Sequence, residues 1–480
     1  MKHSRVLEFL FAAALAFLCA SAVVWWRAAP QPSPKIASAG RDGAEGRTAG
    51  VQKVEIGRDF RRFSELSDAE RAAGFPDWPR FRGADMSNCA ASGMELDFNL
   101  ENAKILWKIP LGEGYAAPVV WGNRVYVLDY DEESESDALR AFALSDGREL
   151  WRRSYKVKIR RNHGKSRTVP CVSEGVVVTF GPMGQVMCAD AETGDFLWGR
   201  DMVSEYGSEI PQWYSGQCPL ADSGEAVIAP AGKDALMFGA DLRTGEVKWT
   251  APNPGGFKMS HSSVMKMEFF GKPMFVYCAA GGIAGVSAAP GDRGKLLWTV
   301  SDWKPNVFAP SPVKISDSKM FLTAGYGAGG AVLELSLDGE KWSAAITGSW
   351  KAKAGAACEQ QTPVVYGGRL YTVLPKDAGG RNSLLAACDI RDDCKILFES
   401  PRGTRFGIGP YMVVDGMLLV LDDDGRLTAL SPGADSFEIV SRRKVLDGVD
   451  SWGPMAFTGG LLILRDSMEM VCLDLRKAAK

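Results

Sequence analysis

The 480 residues are 46% hydrophobic and 24% charged, the balance of a soluble globular chain, which excludes wholesale disorder. Fifty-six basic against 58 acidic residues give a formal charge of −2, so no global attraction to nucleic acid or anionic membrane exists. With only three histidines (His3, His163, His261) a multi-histidine zinc site is excluded, and 53 glycines favour tight turns over long helices.

Residues 9–26 form an apolar run flanked by Lys2, Arg5 and Arg27. Eighteen helical residues rise about 27 Å, enough to cross a bilayer core. A cleaved signal peptide would use the small residues Ala20, Ser21 and Ala22. An uncleaved anchor accounts better for the continuing Val23, Val24, Trp25 and Trp26. Lipoprotein processing at Cys19 is disfavoured by the bulky Leu18. The expected organisation is therefore a transmembrane anchor over 1–27 and a flexible linker over 28–75. Within that linker Ser67, Asp68 and Glu70 predict a short capped helix near 67–73. The remaining body, 76–480, should lie on the extracytoplasmic side of the inner membrane, in the cell envelope.

From residue 101 the chain repeats with a period of about 48 residues. The plainest units are ALSDGRELW (143–151), ADAETGDFLW (189–198), ADLRTGEVKW (240–249) and APGDRGKLLW (289–298). Each reads as a strand end, an Asp/Gly turn, and a second strand reaching a tryptophan. Asp caps free turn N–H groups and Gly accepts the positive φ of a bulged hairpin. Trp107, Trp151, Trp198, Trp249, Trp298 and Trp342 recur at intervals of 44, 47, 51, 49 and 44 residues. Phe398 and Phe437 stand where two further tryptophans are expected. Upstream runs such as 117–129, 362–374 and 409–422 carry Gly-Asn, Gly-Gly or Asp-Gly between apolar alternations, a hairpin signal. Four short strands per repeat predict an all-β, eight-bladed β-propeller. The lone strand 105–109 at the start should complete the last blade, whose final strand is missing at 470–477.

The tails of the form A-D-x-x-T-G-x-x-x-W resemble the pyrroloquinoline-quinone-type (PQQ-like) propeller repeat, and the resemblance covers the whole exported body. Residues 77–83 (DWPRFRG), 111–115, 211–214, 232–236 and 311–313 look like single-chain members of planctomycete type. Such members are similar to the propeller subunit of the outer-membrane β-barrel assembly machinery, which implies a non-catalytic scaffold. The same repeat builds quinoprotein alcohol dehydrogenases, which would imply bound quinone, calcium and an adjacent Cys-Cys pair. The ten cysteines here include no adjacent pair and no Cys-x-x-Cys-His. No cofactor, metal or catalytic residue is therefore expected, and no GxSxG, P-loop or HExxH occurs.

Cys188, Cys388 and Cys472 read as one repeat position in strand cores, while Cys388 and Cys394 flank a turn and could bridge. The acidic stretch 129–137 reads as a solvated hairpin loop. Arg160, Arg161, His163, Lys165 and Arg167 fall between the first two blades, on the same predicted face as Trp213, Tyr214, His261 and Trp303. Arginine with aromatics on a rim is the composition of a recognition surface. The expectation is an envelope protein or polymer partner; carbohydrate binding by the aromatic face is a further alternative.

Overall fold

The computed structural model describes Ser21 and residues 54–160, 164–448 and 450–477. Of the two units into which the chain divides, the account below concerns Lys53–Lys480. Its strands form eight antiparallel sheets of a propeller, six of four strands and two of five. Blade 1 is built from Val119–Trp121, Arg124–Asp131, Ser136–Ala143 and Glu149–Lys156. Blade 8 is built from Ala456–Thr458, Leu461–Arg465 and Glu469–Asp474, completed by Lys104–Pro110 at the outer edge. Trp107 there lies opposite Cys472, so the first repeat strand closes the ring.

Every blade carries a bulge between its third and fourth strands. An extra residue on the fourth strand turns the next side chain across the sheet. In blades 1 to 4 that residue is Trp151, Trp198, Trp249 and Trp298, facing Ala141, Cys188, Gly239 and Gly285. The small partner leaves room for the indole. A Cβ on Gly239 or Gly285 would stand 2.3 Å from the ring.

Four indoles also cover the turn glycine of the following blade: Trp107 on Gly147, Trp151 on Gly194, Trp198 on Gly245 and Trp249 on Gly294. These glycines have φ between 71° and 86°, where side chains are disfavoured. The turns are tied as their sequence predicts. Asp190 accepts from the N–H of Glu192 and Thr193 at 2.9 and 2.8 Å, and Asp241 repeats the pattern at 3.0 and 2.9 Å.

Two tryptophan-series assignments are corrected by the register. Trp342 pairs with Leu337 near the tip of an elongated blade-5 hairpin, and the bulge position belongs to Gly348. Phe437 pairs with Pro432 in blade 7, where the bulge position is Ser441. Phe398 does occupy the position, opposite Ala387. The register likewise places Cys388 one residue beyond the position of Cys188 and Cys472. Cys388 and Cys394 are separate, buried thiols.

Of the expected linker, residues 28–53 lie outside the described residues, and residues 54–75 pack on the propeller. Ser67 caps Asp68–Arg71 in a capping box with Glu70. Asp59–Arg62 pairs antiparallel with the outer strand of blade 1. Residues 76–90 then run along the inner strands at the ring's centre. Trp78 exchanges two 2.9 Å backbone bonds with Val120 of blade 1, and Val172 of blade 2 donates to Pro79 O at 2.7 Å. Arg80 reaches Ala221 O of blade 3 at 2.8 Å. Arg82 donates to Thr362 and Pro363 carbonyls beside blade 6 at 2.9 and 3.0 Å. Cys89–Ala90 finally pairs parallel with the inner strand of blade 7.

Gly245→Ala should cost about 2–4 kcal/mol, combining left-handed strain with overpacking against Trp198. Gly339→Ala has a similar φ, 59°, in open space, and should cost only about 1–2 kcal/mol. Urea unfolding of the two variants measures the difference, and equal costs would show that the indole contact contributes nothing.

Candidate functional site

The connections from each fourth strand to the next blade's first strand emerge on one face. Several end in a proline that opens the inner strand, as at Pro118, Pro170, Pro219, Pro363 and Pro454. Residues just before these prolines converge on the axis and line a recess of about 200 Å³. All eight junctions contribute to its wall, among them Tyr115, Arg167, Trp213, His261, Glu359 and Trp452. Phe81, from the segment laid across the ring's centre, also lines it. The turn face is thus closed by residues 76–90, and the recess is blind.

One ring pair and one group of three rings frame the walls. Tyr115 and Trp452 lie 5.0 Å apart, tilted by 37°. Trp213 stacks between Tyr326 at 5.6 Å and His261 at 6.2 Å. Trp213 and the adjacent Tyr214 both adopt left-handed φ, 65° and 70°. Such backbone strain in a non-glycine pair persists where the surroundings over-determine it. Tyr214 helps by donating its hydroxyl to Arg160 O at 2.8 Å, joining two neighbouring junctions.

Burial sets the electrostatics. It pulls the Arg167 guanidinium down to about 10, and the ring of Tyr115 lies 6.0 Å away. Burial, aided by the Arg167 charge, drives His261 down to about 3, so its imidazole is neutral. Burial raises the carboxyl of Glu359, whose Oε2 accepts from the N–H of Lys376 at 3.4 Å. Burial likewise raises Asp423, which accepts from Trp452 Nε1 at 2.8 Å and from Ile408 N–H at 2.9 Å. Gln361 donates to Trp452 O at 2.8 Å.

Of the basic cluster read from sequence, Arg160 is exposed and Arg167 and Trp213 reach the recess. Arg161 and His163 lie outside the described residues. Lys165 is corrected: only 2% exposed, it pairs with Glu132 and lies 4.6 Å over the Tyr130 ring. Its long apolar stem favours that burial. Trp303 packs edge-on against Phe308 at 5.3 Å. The 129–137 stretch is only partly a loop, because Asp129 and Asp137 lie buried in paired strands. Sequence reasoning did not single out Glu359, Lys376, Tyr326 or Trp452.

Residues 135–293 match the family model for the outer membrane protein assembly factor BamB, a PQQ-type repeat. Residues 135–293 thus carry a PQQ-type repeat within an eight-bladed β-propeller. Solved structures agree in fold. BamB from Moraxella catarrhalis is 12% identical, with TM-score 0.50, covering 78% of this chain and 99% of that one. A europium-containing methanol dehydrogenase is 12% identical, with TM-score 0.56, covering 82% of this chain and 89% of that one. The quinohemoprotein alcohol dehydrogenase from Comamonas testosteroni is 14% identical, with TM-score 0.56, covering 86% and 83%. No curated protein matches the sequence.

The propeller's recess does not fit a metal-held quinone. Hard cations need several converging carboxylate and carbonyl oxygens. Among the described residues no three of His, Cys, Asp and Glu converge in that way, and Glu359 is the carboxylate lining the recess. At about 200 Å³ it also falls below the roughly 300 Å³ that drug-sized ligands occupy.

Asp137 anchors the wall from behind, accepting from Ser166 Oγ at 2.6 Å and Tyr155 OH at 2.9 Å. Desolvation raises its carboxyl from 3.8 to about 6 despite those bonds. The native state therefore holds the proton more tightly than the unfolded chain does. This group's stabilisation is complete below about pH 4 and is lost as pH rises through about 6. Relative to Asp137→Asn, the natural protein should lose about 2 kcal/mol between pH 4 and 7. Urea melts across that range check it, and a pH-independent difference would refute the assignment.

Proposed function

We propose that this chain is a non-catalytic, membrane-tethered propeller on the periplasmic side of the cell envelope that serves as a protein-interaction or assembly scaffold. The observation that carries the reading is the junction face, where eight connections and the blade-5 loop bearing Tyr326 surround one recess, with Trp213 in its wall. The aromatic rings are held rigidly, so little conformational freedom is lost when a partner covers them. Tyr326 is 54% exposed and stacked on Trp213, the arrangement of a binding anchor. The match of residues 135–293 to an assembly-factor family supports the same reading.

The tether in this proposal is the apolar run 9–26, which apart from Ser21 lies outside the described residues. Among the described residues no helix is long and apolar enough to cross a membrane. The opposite face carries short, uniform turns such as Thr193-Gly194 and Thr244-Gly245, whose side chains are engaged in capping.

Crosslinking in the native envelope, followed by identification of the captured chains, tests the reading. Trp213→Ala should raise the Kd of a captured partner by about 30-fold or more, as loss of an interface anchor does. Arg160→Ala should act chiefly on association rate and salt dependence. Arg243→Ala on the turn face should change neither. Capture lost in Arg243→Ala and kept in Trp213→Ala would place the docking surface on the wrong side of the ring.

A further inference from the structure

We propose that the axial recess is a binding site for a neutral sugar ring, separate from whatever protein docks on the rim. The volume of about 200 Å³ suits one six-membered ring with its substituents. Because residues 76–90 block the turn face, a ligand enters and leaves only through the junction face. A blind recess of that size takes a terminal or single ring rather than the middle of a polymer.

The wall chemistry selects the class. Tyr115, Trp213 and Trp452 line the wall with aromatic surface, against which the C–H groups of a sugar ring pack. The polar groups between them are mixed in kind. Arg167 and Lys376 donate, Glu359 accepts, and the amides of Gln360 and Gln361 do both. Sugar hydroxyls are also both donor and acceptor, so each can meet a different wall group. The charges oppose one another as well, with Arg167 and Lys376 set against Glu359 and, behind Trp452, Asp423. That balance favours a neutral occupant over an anion.

A phenyl or aliphatic side chain would fill the same volume but leave Glu359 and Gln360 desolvated and unmatched, at the cost of unmade hydrogen bonds. The positions of the wall groups are fixed in advance. Gly325 lacks a Cβ where one would stand 2.4 Å from Glu359 Cγ, and Gln361 is held by Trp452 O. Burial moves the titration of Arg167, His261 and Glu359 alike, in agreement with a site where water is already scarce.

The test is titration of the full-length chain, in a detergent without a sugar headgroup, with glucose, galactose, mannose, N-acetylglucosamine, cellobiose and chitobiose. Binding is followed by tryptophan fluorescence and by calorimetry. At least one of these should bind saturably, with a Kd on the order of 1 mM for a single small ring. Glu359→Gln, which preserves shape, should weaken it at least 10-fold, as should Trp213→Ala. Trp342→Ala, on the far hairpin of blade 5, should leave it unchanged. If Trp213→Ala fails to fold by circular dichroism, Glu359→Gln decides alone. Absence of saturable binding by all six probes overturns the proposal, and so does binding that survives Glu359→Gln. Stronger binding of benzoate or of a phenylalanine-terminated peptide than of any sugar overturns it in favour of a carboxylate or peptide site. Protein capture on the rim can fail while sugar binding succeeds, so the two readings stand or fall separately.

Discussion

The ring depends on one contact, an indole of one blade lying on the left-handed turn glycine of the next. Three features of the sequence must coincide for it to form. A bulge turns the tryptophan across the sheet, a small residue opposite gives it room, and the neighbouring turn must lack a Cβ. Trp107 and Trp198 add a hydrogen bond, donating Nε1 to Leu144 O and Leu242 O at 2.8 and 2.9 Å. The contact thereby couples strand register in one blade to turn conformation in its neighbour. Where the coupling stops, the structure changes: Gly339, the next turn glycine in the series, has nothing within 4 Å of a Cβ position. Trp298 there is buried among Leu335, Trp342 and Ile346 of the elongated hairpin instead.

A ring of eight blades leaves an axial channel that must be filled or used, and this chain does both. Residues 76–90 fill one end with backbone hydrogen bonds and with Arg82, which is 5% exposed. Its guanidinium is satisfied by carbonyls alone, those of Met86, Ser87, Thr362 and Pro363 at 2.8 to 3.0 Å. A buried cation of this kind is tolerated because each of its three nitrogens has a carbonyl acceptor. It also ties the leading segment to blade 6, far along the chain. The other end of the channel stays open, so the two faces differ in kind, one sealed by residues 76–90 and one recessed.

The period, the blade number and the closing strand were legible because they rest on local chemistry: Asp and Gly in turns, alternation in strands, tryptophan at a near-constant offset. Trp342 and Phe437 were misplaced for an instructive reason. Their distance was counted from the turn, whereas the structure counts from the bulge, and the hairpins of blades 5 and 7 are longer. The site was half legible. Arg167, Trp213 and His261 stood out as conspicuous residues in connections, but Glu359 and Trp452 meet Tyr115 only through ring closure. The usable signal was positional: several recess residues directly precede a proline that opens an inner strand, as Val169, Cys218 and Thr362 do. Lys165 was misread because a charge in a connection was taken for a solvated one, although its stem packs on Tyr130.

The repeat is most regular from blade 8 through blade 4 and loosest in blades 5 to 7, and the recess divides along the same line. The regular side supplies Tyr115, Arg167, Trp213 and His261, and the loose side supplies Tyr326, Glu359, Gln361 and Lys376. An eightfold-uniform ring would surround its axis with one residue type and could not orient an asymmetric ligand. Blade 5 combines a missing indole contact with a longer hairpin. The neighbouring connections carry the carboxylate, amides and amine that the regular half lacks. Departure from the repeat and acquisition of polar site chemistry thus occur in the same blades. Local rules are expected to fail where a protein has use for the exception.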